Sequence, residues 1–179
     1  MASFPIVRPR RLRRSSALRE LVAETNLRPS DLIAPLFVRE GIDEPQPIVS
    51  LPGVVQHTRD SVRAEVEALA GLGVRAVVLF GVPATKDATG SGAYDPDGIV
   101  QLTLADLRGD VGDDVVLIAD LCVDEYTDHG HCGIVRDDGQ VDNVATLRLY
   151  QRAAVAQAQA GADLVLTYAA REIAERQGR

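Results

Sequence analysis

The chain has 179 residues, 46% of them hydrophobic and 25% charged, which is enough for one globular core and short for two. Its net charge of −7 argues against general nucleic-acid binding, no apolar run approaches the ~20 residues of a membrane span, and no secretory signal is visible. Two cysteines without framework spacing suit a reducing cytosol, so the expectation is a single cytoplasmic domain with no membrane or nucleic-acid partner.

Residues 1–15 read as a basic arm. Arg8, Arg10, Arg11, Arg13 and Arg14 fall within seven residues, so the rest of the chain carries −12. On residues alone a solvated tail, a targeting signal, an RNA contact and a docking arm all stay open. From Ser16 to Glu24 the apolar positions Ala17, Leu18, Leu21 and Val22 recur at helical spacing, with serine available as a cap. Leu32 to Val38 reads as the first strand, with Pro35 expected at an edge or a bulge.

Thr58 is placed to cap a helix with apolar positions Val62, Val66, Leu69 and Ala70, ended by Gly71 and Gly73. Val74 to Phe80 is the second strand. The loop beyond it, GVPATKDATGSGAYDPDG, is rich in glycine and small residues, as backbone approaching a ligand requires, but Lys86 lacks the flanks of a phosphate-binding loop. Gly98 to Leu107 is a helix and Val115 to Ala119 a third strand.

Directly after that strand, DLCVDEYTDHGHCG (Asp120 to Gly133) gathers both cysteines and two of the three histidines. Cys122, Asp124 and Cys132 are spaced C-x-D-x7-C, so two thiols and a carboxylate can converge on one ion if the loop folds back through Gly130. Sulfur and carboxylate donors suit zinc, and three protein ligands leave a fourth position for water or substrate. His129 and His131 point the same way in extended backbone and can ligate, shuttle a proton or hydrogen-bond a ligand. Two small buried thiols with two loop histidines, or a disulfide, remain the alternatives.

Beyond it, IVRDDGQVDN carries a hairpin-like D-D-G turn, and a helix starts near Asn143 with Leu147, Tyr150, Ala154 and Ala158 on one face, ended by Gly161. Asp163 to Thr167 is a fourth strand and Ala169 to Arg176 a last helix. Helices alternating with apolar strands demand parallel pairing. A small doubly wound sheet, of flavodoxin or receiver type, and about half of a (β/α)8 barrel both fit.

DLCVDEYTDHGHCG resembles the metal-binding segment of the porphobilinogen synthase (5-aminolevulinate dehydratase) family. RPRRLRRS, NLRPSDLIAPLFVREG, SLPGVVQHT and the K-D-x-x-G-S-G-A-Y order of the second loop resemble that family as well. The resemblance implies a partial (β/α)8 TIM barrel of about four units, whose two open strand edges would invite pairing. It implies an arm that docks on a neighbouring subunit of a homo-oligomer, and condensation of two 5-aminolevulinates to porphobilinogen in heme biosynthesis. Zinc, with magnesium as the alternative, would lie on Cys122, Cys132 and Asp124, which stands where zinc-dependent members carry a cysteine. Asp120 and His131 would lie near substrate. The helix start departs from the family's N-D-x-T, reading Asn143, Val144, Ala145, Thr146, so the cap or loop hydrogen bond that the missing aspartate implies is not expected here.

The tail LTYAAREIAERQGR resembles the family's extreme C-terminus, so Ala160 to Val165 reads as a junction across a deleted middle, with a naturally short relative as the alternative. Tyr168 then matches a tyrosine that contacts substrate carboxylate. The family's two Schiff-base lysines have no counterpart: Lys86 is the sole lysine beside 18 arginines, and it matches a loop lysine. The resemblance thus implies a family chain that is catalytically incomplete alone, the alternative being a catalytically dead partial barrel, at most a metal-binding or interaction module.

Overall fold

The computed structural model describes residues 10–167. Within them, β1 (Ile33–Arg39), β2 (Gln46–Pro47), β3 (Val55–His57), β4 (Ala76–Val82), β5 (Val116–Asp120) and β6 (Leu164–Leu166) form one sheet in the spatial order β2-β3-β1-β4-β5-β6. All neighbours pair parallel except β2 with β3.

Side chains alternate across a strand, so Leu36 and Val38, Val77 and Leu79, and Leu117 and Ala119 share one face. The helix α2 (Arg59–Gly71) covers it with Val62 and Val66, and α3 (Ile99–Val111) with Val100, Leu104 and Leu107, giving one dry core. Thr58 caps α2 by accepting from the Ser61 amide, while the Ser61 hydroxyl accepts from the Thr58 amide. α2 packs on α3, and α3 on α4 (Asn143–Gln159), so the helices form a single layer in chain order.

That arrangement overturns the doubly wound alternative, which places helices on both faces of the sheet. With the short β2–β3 pair set outside β1, the strands that alternate with helices, β1, β4, β5 and β6, follow one another across the sheet in sequence, as in a (β/α)8 barrel. The barrel is partial and does not close. On the face away from the helices, Phe37 and Phe80 stack with ring centroids 5.1 Å apart. Ile33 and Leu164 on that face are 55% and 56% exposed.

Several local expectations need correction. β1 is central, yet β3 reaches only Phe37 and Val38, so Pro35 lies where β1 has a neighbour on one side alone, locally an edge. β2 and β3 were not anticipated, because strands of two and three residues carry no periodicity. The short helix α1 (Ser16–Leu21) forms under a Ser15 cap, but Leu21 and Val22 stay exposed instead of packing. α3 runs through Gly109 to Val111. The cap of α4 comes from Asp142, whose carboxylate accepts from the Ala145 amide at 2.9 Å. Its buried face is Thr146, Leu149, Tyr150, Ala153 and Gln157, whereas Leu147 and Ala158 are exposed. Two polar residues on that face, Thr146 and Gln157, disguised it; each makes a hydrogen bond, although the buried Gln157 Oε1 is left without a partner. The helix expected at Ala169 to Arg176 lies outside the described residues.

Candidate metal centre

β5 delivers Asp120 to the carboxyl end of the sheet, where the Leu121 amide donates to the Leu166 carbonyl at 2.8 Å. Leu121 and Val123 are buried, so alternation turns Cys122 and Asp124 to the opposite, half-buried side. The chain then turns: the Tyr126 and Thr127 amides both donate to the Val123 carbonyl at 3.0 Å. Gly130, at φ +69°, reverses the loop in a left-handed conformation that a side chain would disfavour. The Thr127 hydroxyl closes the reversal by donating to the His131 carbonyl at 2.9 Å.

From α4, the Tyr150 hydroxyl donates to the Cys132 carbonyl at 3.1 Å. Gly133 fits against the same helix because a Cβ there would come within 2.8 Å of the Thr146 hydroxyl. Buried Gln157 donates to the Asp120 carbonyl at 2.8 Å. The result is convergence: one ligand atom each from Cys122, Asp124 and Cys132 lie within 4.8 Å of one another.

The two Sγ atoms are 2.8 Å apart and both cysteines are free. Tetrahedral zinc holds two sulfurs roughly 3.8 Å apart, so the pair would open by about 1 Å to admit it, on a side where Cys132 is exposed. Burial pushes both thiols up, and the Asp124 carboxylate beside them adds to the shift. Without a cation the cysteines therefore sit protonated, and a divalent ion must displace protons to bind. The donor set fits such an ion: two soft sulfurs, one oxygen and an open side.

Asp120 is only 9% exposed, and burial raises its carboxyl to about 6, with the Asp124 and Glu125 charges adding and the Cys122 amide, which donates to it at 3.3 Å, opposing. A carboxyl so placed exchanges its proton close to neutral pH. His131 stands apart from the ligand group: it is exposed on the loop, its ring 5.5 Å from that of His129, and its amide donates to His129 Nδ1 at 3.2 Å. Lys86 pairs with Glu125 at 3.8 Å. Tyr168 lies outside the described residues.

Tyr150 was expected only as a packing residue, and Thr127, Thr146, Gln157 and Asp87 were not singled out. For Thr146, Tyr150 and Gln157 the available signal is their recurrence with Ala153 at helical spacing, which polar side chains obscure; Thr127 and Asp87 lie on loops and carry no such periodicity.

Residues 6–172 match the family profile described as Delta-aminolevulinic acid dehydratase. A delta-aminolevulinic acid dehydratase of Mycobacterium tuberculosis is 55% identical over 167 residues, 92% of this chain and 51% of that protein. One of Streptomyces coelicolor is 53% identical over 165 residues, 91% of this chain and 50% of that protein. Among solved structures, delta-aminolevulinic acid dehydratase (porphobilinogen synthase) from Toxoplasma gondii ME49, in complex with the reaction product porphobilinogen, matches with a TM-score of 0.85 at 33% identity. That match covers 96% of this chain and 51% of the other. The chain spans about half the length of the relatives it matches.

Proposed function

Because the chain belongs to the delta-aminolevulinic acid dehydratase family, we propose that the loop Asp120 to Gly133 is the metal-holding part of a site that condenses two 5-aminolevulinates to porphobilinogen in heme biosynthesis. The observation that carries this reading is the meeting of Cys122, Asp124 and Cys132 at the carboxyl end of β5, beside a protonatable Asp120. Sulfur donors favour zinc over magnesium, which prefers an all-oxygen shell. Bound there, the ion supplies Lewis acidity toward a carbonyl or a water. Asp120 holds or releases a proton beside it. His131 stands at the exposed rim, and Tyr168 is assigned to a substrate carboxylate on the family's pattern.

The second part of the chemistry is a pair of amines that form imines with the keto acids, and these 179 residues carry one lysine beside the N-terminal amine. Lys86, the single lysine, lies on a loop 3.8 Å from Glu125 and matches a loop lysine of the family, not an imine-forming one. The reading is therefore that this stretch binds the ion and does not condense substrate alone, and that its arginine-rich arm docks on another copy in the cytoplasm. A non-catalytic metal-binding or interaction module is the second reading, favoured by that same lack of amines.

Purification under reducing conditions, zinc analysis and borohydride trapping with 5-aminolevulinate test the proposal. The expected result is one zinc per chain and no covalent capture. Capture at Lys86, or formation of porphobilinogen, would refute the catalytic incompleteness. A chain that retains no divalent metal would refute the metal assignment.

A further inference from the structure

The ligand loop is held by α4 on one side. On the other side it lies against the segment that follows β4. There the backbones run side by side: the Asp87 amide donates to the Tyr126 carbonyl at 3.2 Å, and the Asp128 amide donates to the Asp87 carbonyl at 3.2 Å, a parallel bridge centred on Thr127. Thr127 is the residue whose hydroxyl closes the turn onto His131, next to Cys132. A chain of hydrogen bonds thus runs from residue 87 to within one residue of a candidate metal ligand.

The shape of the donating segment is set by a single carboxylate. Asp87 Oδ1 accepts from the Thr89 amide and the Thr89 hydroxyl, both at 2.6 Å, and Oδ2 accepts from the Ser91 amide at 3.2 Å and from the Ser91 hydroxyl. Four donors closing on one side chain fold residues 87–91 into a fixed turn, and bonds to an ionised acceptor are stronger than neutral ones. The turn presses on the loop directly: at Gly90, φ +59°, a Cβ would come within 3.3 Å of Thr127 Cγ2. The adjacent Lys86–Glu125 pair at 3.8 Å is long and partly exposed, so it adds little.

We propose that Asp87 is a positioning residue for the loop that carries the metal ligands: its carboxylate fixes the turn 87–91, and the backbone of that turn fixes residues 126–128. The inference rests on the metal reading above for its functional consequence, but not for its structural part. A carboxylate that merely stabilised its own turn would affect overall stability and leave the ligand loop unchanged.

Two readouts on the full chain separate these. In zinc competition against a chelator, Asp87→Ala is expected to weaken affinity roughly 10–100-fold, as loss of an outer partner of a metal site does. Asp87→Asn, which keeps an acceptor oxygen, is expected to recover part of that loss. In the metal-free protein, exchange of the Asp128 amide hydrogen is expected to accelerate roughly tenfold in Asp87→Ala. Arg63→Ala, which breaks an ion pair with Asp110 between α2 and α3, serves as the stability control and leaves both readouts unchanged. Should Asp87→Ala fail to fold, Ser91→Ala removes one of the four donors and carries the same test at roughly threefold.

Unchanged exchange at Asp128, or an equal zinc affinity in Asp87→Ala and Arg63→Ala, overturns the proposal. If the unmutated chain holds no zinc, the metal reading fails by itself and the exchange comparison still decides the role of Asp87.

Discussion

The helix-covered face of the sheet and the ligand loop are held together by different balances of the same forces. Between the sheet and its helices, Val38, Leu79, Leu104, Leu107 and Leu117 are 0% exposed and belong to one apolar cluster. The loop has an apolar anchor of its own, Leu121, Val123 and Tyr126 packed with Leu149, Tyr150 and Ala153, and beyond it the contacts that reach the ligand-bearing backbone are polar: Thr127 to His131, Tyr150 to Cys132, Gln157 to Asp120, and the bridge to Asp87. Burial is strong and undirected, whereas hydrogen bonds are individually modest and set geometry. Stability and ligand geometry should therefore come apart under mutation.

The sharpest separation comes from one substitution in each region. Leu79→Ala leaves a cavity in the dry core and is expected to destabilise by about 2–5 kcal/mol in a urea titration, with zinc affinity of the folded protein unchanged. Cys132→Ser should do the reverse. It removes an exposed thiol, so the metal-free melting curve should barely move, while zinc affinity falls by more than the roughly 10–100-fold typical of an outer partner. Parallel losses of stability and affinity in both variants would erase the distinction. A smaller effect follows at the junction of the two regions: Tyr150→Phe deletes the bond to the Cys132 carbonyl and should cost about 1 kcal/mol, with a measurable weakening of zinc binding.

The same division explains what the sequence disclosed. The dry core was legible because Val74 to Phe80 and Val115 to Ala119 are apolar β-branched runs, and Thr58 announces its helix through a side chain that caps. Convergence of Cys122, Asp124 and Cys132 was also legible, since apolar 121 and 123 force 122 and 124 to one side and Gly130 permits the return. The supports were not. Asp87 acts on the loop through its backbone, which no side-chain pattern reports. Thr146 and Gln157 are polar residues on a buried helix face, so a search for apolar periodicity turns the helix the wrong way.

The smallest expected effect is on pH dependence, where the two regions carry opposite signs. His57, at the end of β3, is 9% exposed with Nδ1 3.1 Å from the Ser61 hydroxyl. Burial lowers its pKa below the usual 6.5, with the Glu65 charge opposing. As pH falls through 6.5 the unfolded chain takes up this proton before the folded one, so stability declines until the folded group also titrates. Asp120 runs the other way. Its folded carboxyl protonates near 6 while the unfolded one waits until about 3.8, so stability rises as pH falls across that interval. The two contributions overlap just below pH 6.5 and partly cancel in the unmutated, metal-free protein. Single variants uncover them: His57→Gln should show stability increasing on acidification from pH 6.5 to 5, and Asp120→Asn should show it decreasing. Slopes of the same sign in both variants, measured by urea titration at each pH, would mean that burial does not set these two ionisations.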